Sequence, residues 1–94
     1  MGDDKLVENY MAYHRTVFEA GALDKKTKEL IGLAVSCAIQ CDYCIDAHLS
    51  KGKVAGATPQ EIKEAIYVGA TVCAGATLMY GKRCWAEEKK EESE

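Results

Sequence analysis

The segment from Leu30 to Ile39 constrains the fold most, because it is apolar on nearly every side of a helix. Helices of this kind are buried over most of their circumference. The whole chain has only 94 residues, and a chain of this size buries only about two-thirds of the surface that its unfolded form exposes. The other helices cannot cover every side of this segment, so we expect copies of the chain to associate.

Apolar residues recur at helical spacing in the rest of the chain, and no segment alternates as a surface strand would. A first helix is predicted to end at Gly21, and a second is predicted to begin with Asp24 as its N-cap. Asp42 is predicted to cap a third helix that runs to about Val54. These elements indicate an all-α protein.

The segment Thr58-Pro59-Gln60-Glu61 is the clearest local signal of a helix start. Thr58 as N-cap and Glu61 three residues later form a capping box, and Pro59 suits the first helical position. The residues from Cys73 to Ala76 predict a break or a bend in the fourth helix before a fifth helix. The predicted fold is a compact, oligomeric all-α bundle of about five helices in one domain, residues 1–94, with residues 88–94 as a frayed charged tail.

Charge, hydropathy and cysteine content narrow the possible functions. The net charge of −3 gives no electrostatic attraction for nucleic acid or for an anionic membrane surface. We see no apolar run that approaches the roughly 20 residues needed to span a bilayer, and the polar N-terminus does not read as a signal peptide. Five cysteines, three of them within eight residues, fit a catalytic or metal-binding cluster in a reducing cytoplasm better than a disulfide framework.

The segment from Cys37 to His48 holds the candidate chemistry. Cys41 and Cys44 form a C-x-x-C pair, and His48 lies four residues beyond Cys44, so a helix places all three on one face. A base or a helix N-terminus beside a thiol favours the reactive thiolate, and the second cysteine can close a disulfide. Zinc is the alternative, with Cys37 as a fourth ligand. A helix from Cys37 to His48 is about 16 Å long, however, whereas zinc needs every donor within about 2.3 Å of one ion. We expect no metal and no other cofactor.

The remaining cysteines and the other histidine have simpler structural explanations. Cys37, Cys73 and Cys84 are expected to be buried small apolar residues, as free cysteines usually are. His14 lies on the apolar face of the first helix, and we expect a hydrogen-bonded core or interface histidine.

Adding Glu29 makes the pattern specific. Glu29-x11-Cys41-x2-Cys44-x3-His48 is the signature of the alkylhydroperoxidase D–like branch of the carboxymuconolactone decarboxylase family, which this chain resembles. The flanking sequences agree: E-L-I-G-L-A-V-S-C-A from position 29, C-I-D-A-H-L from position 44 and A-T-P-Q-E-I-K-E-A-I from position 57. The resemblance covers roughly residues 15 to 85.

The resemblance implies an all-α fold and an antioxidant peroxidase or related thiol-disulfide oxidoreductase. Carried over by position, Cys44 is the attacking thiol, Cys41 is its resolving partner, and Glu29 and His48 form a proton relay. A peroxide or disulfide is then the substrate, and an unidentified thiol or protein is the reductant. Similar small family members imply a homo-oligomer, either a hexamer or a trimer.

Two departures from the family pattern bear on these expectations. Tyr43 stands where family peroxidases of this type often have histidine, which puts the strength of a peroxidase activity in question. The best-known members contain two copies of the fold, so this single copy implies that subunits pair. Carboxymuconolactone decarboxylase activity is not expected, because that branch lacks the redox cysteine pair. The alternative function is a non-enzymatic helical oligomer whose cysteines bind metal or sense oxidation.

Overall fold

The structure, a computed structural model, describes the backbone of residues 2–85 and the side chains of residues 4–85. Over this range it has four helices and no strand: α1 (Gly2–Phe18), α2 (Lys25–Ala38), α3 (Asp42–Val54) and α4 (Pro59–Gly81). Helix α2 packs against both α3 and α4, and the backbone of α1 approaches only α2. The predicted all-α class is confirmed, although the number of helices is four and not five. The predicted charged tail lies outside the described residues.

The predicted N-caps of α2 and α4 are confirmed by their hydrogen bonds. Asp24 Oδ1 accepts the backbone N–H of Thr27 at 2.7 Å. The Thr58 hydroxyl accepts the backbone N–H of Glu61 at 3.1 Å, and the Glu61 carboxylate accepts the backbone N–H of Thr58 at 2.9 Å. Each contact satisfies a backbone donor that the first turn of a helix leaves unpaired. These local signals therefore fix where both helices start.

The N-cap of α3 is Cys41, and the prediction of Asp42 was wrong by one residue. The cause is the way in which α2 ends. Gln40 adopts a left-handed conformation (φ 56°), its N–H donates to Cys37 O at 3.1 Å, and the Cys41 N–H donates to Ser36 O at 3.0 Å. This is the hydrogen-bond pattern of a Schellman C-cap. It leaves Cys41 extended, so its sulfur accepts the Cys44 N–H at 3.2 Å and caps α3.

Helix α4 is continuous through the segment Cys73–Ala76, where we expected a break. Glycine in a helix interior costs only about 1 kcal/mol relative to alanine and keeps its N–H, and alanine is the best helix former. The Thr77 hydroxyl also donates to the Cys73 carbonyl at 2.9 Å. No residue in this stretch removes a backbone hydrogen bond, so the helix does not stop.

Because α4 is continuous, the expectation that no apolar run has membrane-spanning length was wrong. The helical segment Pro59–Trp85 has 27 residues, and its most apolar window has a mean hydropathy of 1.2. By length and composition alone, it could cross a membrane. None of that window is buried within the single chain. A helix whose surface packs against a partner subunit is also long and apolar.

Helices α2 and α4 run parallel in a fixed register. Lys26 Nζ lies 2.8 Å from Glu61 Oε2 near the start of both helices. Two turns further along, a Cβ added to Gly69 would lie 3.4 Å from the Cβ and 3.4 Å from the carbonyl oxygen of Ala34. Both pairs are 35 positions apart in the sequence. The small residues Ala34 and Gly69 therefore allow the two backbones to come into close contact.

The single chain has almost no core of its own, contrary to the predicted compact bundle. Among the described residues, Leu33 is the only buried hydrophobic side chain, whereas 18 large hydrophobic side chains are exposed. The radius of gyration is 18.8 Å, against about 12 Å for a compact domain of this length. Apolar surface on this scale destabilises a lone chain in water.

The left-handed residue of the α2 C-cap gives a test of the local structure. Gln40→Gly should raise the free energy of unfolding by about 1 kcal/mol, because glycine adopts this conformation without the clash that a Cβ causes. Gln60→Gly is the matched control: it is an equally exposed glutamine in the first turn of α4, and the same change there should lower stability by up to about 1 kcal/mol. Urea denaturation at one protein concentration measures both. A loss of stability in Gln40→Gly would contradict the assigned cap.

Candidate active site

The C-x-x-C pair lies at the N-terminus of α3 and is closed as a disulfide. Cys41 and Cys44 are bonded, with their Cα atoms 5.2 Å apart, and both residues are half-buried. Unpaired N–H groups give a helix N-terminus a partial positive charge, which stabilises a thiolate there. The structure thus shows the disulfide that the resemblance implied, in a position that suits thiol-disulfide chemistry.

Behind the disulfide, a carboxylate and an imidazole form a buried pair. Glu29 from α2 is completely buried, His48 from α3 is 8% exposed, and Glu29 Oε1 lies 2.8 Å from His48 Nδ1. The contact is direct, whereas the sequence left room for a bridging water. A buried carboxylate without a partner costs several kcal/mol. Glu29 therefore holds the imidazole in one orientation through this contact.

The geometry of α3 links this pair to the disulfide. Cys44 and His48 are four residues apart on α3, and such positions share one face of a helix. Because His48 Nδ1 is bound to Glu29, Nε2 is the ring nitrogen that remains to exchange a proton with a thiol. Glu29 Oε2 has no hydrogen-bond partner among the described residues, so this oxygen can accept one further donor.

Two rings from α1 complete the surroundings of His48. The ring centroids of Phe18 and His14 lie 4.8 Å and 5.4 Å from that of His48, and the planes are nearly parallel. Gly32 makes room for them, since a Cβ there would lie 3.1 Å from the Phe18 ring and 3.2 Å from His48 Nδ1. The stacked rings hold the imidazole on the side where α1 crosses.

His14 lies at the edge of a solvent-filled cleft. The cleft has a volume of about 490 Å³ and is lined by His14, Arg15, Lys51 and Glu29, among others. Burial lowers the pKa of His14 below its usual value, and the nearby charges of Lys51 and His48 lower it further against the opposing charge of Glu29. His14 is therefore a neutral, half-buried imidazole at pH 7, which gives the Glu29–His48 pair an aromatic neighbour without a second positive charge.

The structure brings the four predicted site residues together as two bonded pairs, Cys41 with Cys44 and Glu29 with His48. Their catalytic roles stay a prediction. The sequence missed the contribution of Phe18 and Gly32. The helical spacing of His14 and Phe18 was visible, but nothing in the sequence showed that both would meet α3.

The prediction for the other cysteines was wrong for the single chain. Cys37 is half-buried, and Cys73 and Cys84 are exposed. The cause is the small core: Cys73 lines an open apolar groove between α2 and α4, and Cys84 lies beyond the end of α4. Among the described residues, no group of three or more His, Cys, Asp or Glu is arranged to hold a metal ion.

The sequence of the chain is similar to those of known proteins. The profile of the carboxymuconolactone decarboxylase family matches residues 4–87. A protein of Paracoccus denitrificans, "Uncharacterized protein 4 in cox locus", is 42% identical over 77 residues, which is 82% of this chain and 69% of the relative. The alkyl hydroperoxide reductase AhpD of Hyphomonas neptunium is 36% identical over 66 residues, which is 70% of this chain but 37% of the relative.

The fold has a close counterpart among solved structures. A crystal structure of a protein from Methanobacterium thermoautotrophicum superposes with a TM-score of 0.80 at 29% identity. The match covers 87% of this chain and 92% of the other. Together with the sequence matches and the Cys–Cys–His–Glu constellation, these findings show that the chain belongs to the carboxymuconolactone decarboxylase family, in its alkylhydroperoxidase D–like branch.

Proposed function

We propose that the protein is a thiol-dependent peroxidase that reduces hydroperoxides and is regenerated by a dithiol or a protein thiol. The observation that carries this proposal is the closed disulfide at a helix N-terminus, on the helix face that also carries His48 of the buried Glu29–His48 pair. A thiolate, a base that can take and return its proton, and a second cysteine that resolves the intermediate are the groups such a reaction needs.

The proposed cycle uses Cys44, Cys41 and His48 together with one hydroperoxide and two external thiols. The Cys44 thiolate attacks the outer oxygen of a hydroperoxide, the O–O bond breaks, and the alkoxide takes a proton from His48 to leave as an alcohol. Cys44 is now a sulfenic acid. The Cys41 thiol attacks it, which releases water and closes the disulfide. Two external thiols then reduce this disulfide and become a disulfide themselves.

The buried pair determines how readily this cycle starts. His48 receives the proton of the Cys44 thiol, and the carboxylate of Glu29 stabilises the imidazolium that results. Both residues are buried, and opposite charges attract each other more strongly away from water. Glu29 thus acts through His48, and His48 acts on the thiol.

The relatives support this class of activity, but the chain spans only about a third of the alkyl hydroperoxide reductases that it matches. The matched part covers 37% of the Hyphomonas protein and 32% of the Azorhizobium caulinodans protein. The identity of the peroxide and of the reductant therefore belongs to the proposal. The 77% exposed Tyr43, next to Cys44 in the sequence, is placed to contact a substrate or a reductant. We propose a cytoplasmic location, where a thiol reductant is available.

Turnover of cumene hydroperoxide with dithiothreitol tests the proposal. Cys44→Ser should lose the activity, because serine has no nucleophilic thiolate. In a separate measurement on reduced protein freed of dithiothreitol, Cys41→Ser should consume one equivalent of peroxide and then stop with Cys44 as a sulfenic acid, because no resolving thiol remains. Cys84→Ser is the matched control, at an exposed free cysteine, and should keep the parental rate. Unchanged turnover in Cys44→Ser would refute the assignment.

We also propose that the chain works as a homo-oligomer, a trimer or a hexamer. A groove of about 430 Å³ between α2 and α4 is lined almost entirely by apolar side chains, including Leu30, Ile31, Val35, Val68 and Val72. Exposed apolar side chains of α1 and of the C-terminal half of α4 extend this surface. Soluble monomers rarely expose so much contiguous apolar area. A second copy of the chain presents the same apolar surface and can cover it.

Light scattering with a matched pair of variants tests the oligomer. The parent should have three or six times the 10.3 kDa mass of the chain. Val72→Glu should dissociate it, because it places a charge in the groove, while Val54→Glu, at a 90% exposed valine outside the groove, should not. A monomeric parent at micromolar concentration would contradict the proposal. So would a parent that stays in solution only with detergent, which would assign α4 to a membrane.

A further inference from the structure

We infer that Cys37 and Cys73 form a second dithiol, which reduces the Cys41–Cys44 disulfide by exchange within the chain. The inference rests on the redox pair of the proposed function and adds a second redox site. Cys37 lies near the end of α2, Cys73 lies in α4, and both are free cysteines. They line one cavity of about 210 Å³, whose other walls are mostly small side chains such as Ala34, Ala38 and Ala70.

The register of α2 and α4 brings these two cysteines to the same level. The pairs Lys26–Glu61 and Ala34–Gly69 are each offset by 35 positions. The same offset places Cys73 opposite Ala38, one residue from Cys37. Each cysteine lies about one turn beyond the Ala34–Gly69 contact, where the two backbones meet. Disulfides form between residues whose Cα atoms are about 4.4–6.8 Å apart, and the inference requires Cys37 and Cys73 to come within this range.

The second pair lies at the end of the bundle that carries the active-site disulfide. The carbonyl of Cys37 accepts the N–H of Gln40 at 3.1 Å, and Cys41 follows directly in the same C-cap. Cys37 and Cys41 are therefore four positions apart in the sequence, at the point where the chain reverses from α2 into α3. Cys84, by contrast, lies beyond the end of α4 and does not line the cavity.

The exchange balances without any external reductant. The Cys37 thiolate attacks the Cys41 sulfur, the Cys41–Cys44 bond breaks, and Cys44 leaves as a thiolate that takes a proton from His48. Cys73 then attacks the Cys37 sulfur, closes the Cys37–Cys73 disulfide and releases Cys41 as a thiol. Two electrons move from the second pair to the first.

Single-turnover stoichiometry tests this inference. Fully reduced protein, freed of reductant, should consume about two equivalents of cumene hydroperoxide per chain, because two dithiols are oxidised in turn. Cys37→Ser, which cannot start the exchange, should consume about half as much, and Cys84→Ser should match the parent. One equivalent in the parent, with Cys37 and Cys73 recovered as free thiols by mass spectrometry, would overturn the inference.

A second oxidant separates this inference from the proposed peroxidase. Oxidised glutathione can close Cys41–Cys44 without any peroxide chemistry, and a Cys37–Cys73 disulfide should then follow and accumulate. If peroxide is not consumed but this disulfide forms with glutathione, the peroxidase assignment fails and the second dithiol stands. If glutathione leaves Cys37 and Cys73 free while Cys41–Cys44 is closed, the inference is refuted. In Cys44→Ser, one equivalent of peroxide should produce no Cys37–Cys73 bond.

Discussion

The contact between Glu29 and His48 is the interaction on which the rest of the structure depends. A fully buried carboxylate is tolerated only when it is paired, and the 2.8 Å contact with His48 pairs it. Because the two residues come from different helices, this contact fixes how α2 and α3 lie against each other. The disulfide lies at the start of α3, on the same helix as His48. Gly32 and the rings of His14 and Phe18 keep the imidazole in place.

The same arrangement explains why the single chain has so few buried hydrophobic side chains among the described residues. The polar site occupies the place where a small domain would normally have its apolar core, and only Leu33 is a buried hydrophobic residue among those described. The apolar side chains lie on the outer faces of α1, α2 and α4. Association of copies would bury these faces and supply the hydrophobic stabilisation that one chain lacks. The second dithiol that we infer lies beside this surface, between α2 and α4.

The sequence predicted most of the elements that local chemistry specifies. Neighbours within a few residues determine the N-cap at Asp24 and the capping box at Thr58, so the sequence predicts both. The same is true of the helical spacing of Cys41, Cys44 and His48. Errors arose where distant contacts or weak preferences decide. The N-cap at Cys41 was not predicted, because sulfur is a poor hydrogen-bond acceptor. The predicted break in α4 does not occur, because a single glycine among alanines only weakens a helix. The stack of His14 on His48 depends on packing between α1 and α3, which no local pattern reveals.

The central claim is that the buried Glu29–His48 pair activates the Cys44 thiol. Mass-resolved alkylation of reduced Cys44 by iodoacetamide, followed as a function of pH in the parent and in Glu29→Gln, tests it most directly. Glu64→Gln, at an exposed glutamate of α4, is the control. The account predicts that Glu29→Gln slows alkylation several-fold at neutral pH and that the rate recovers as the pH rises, while the control matches the parent. Identical rate profiles in all three proteins would contradict it.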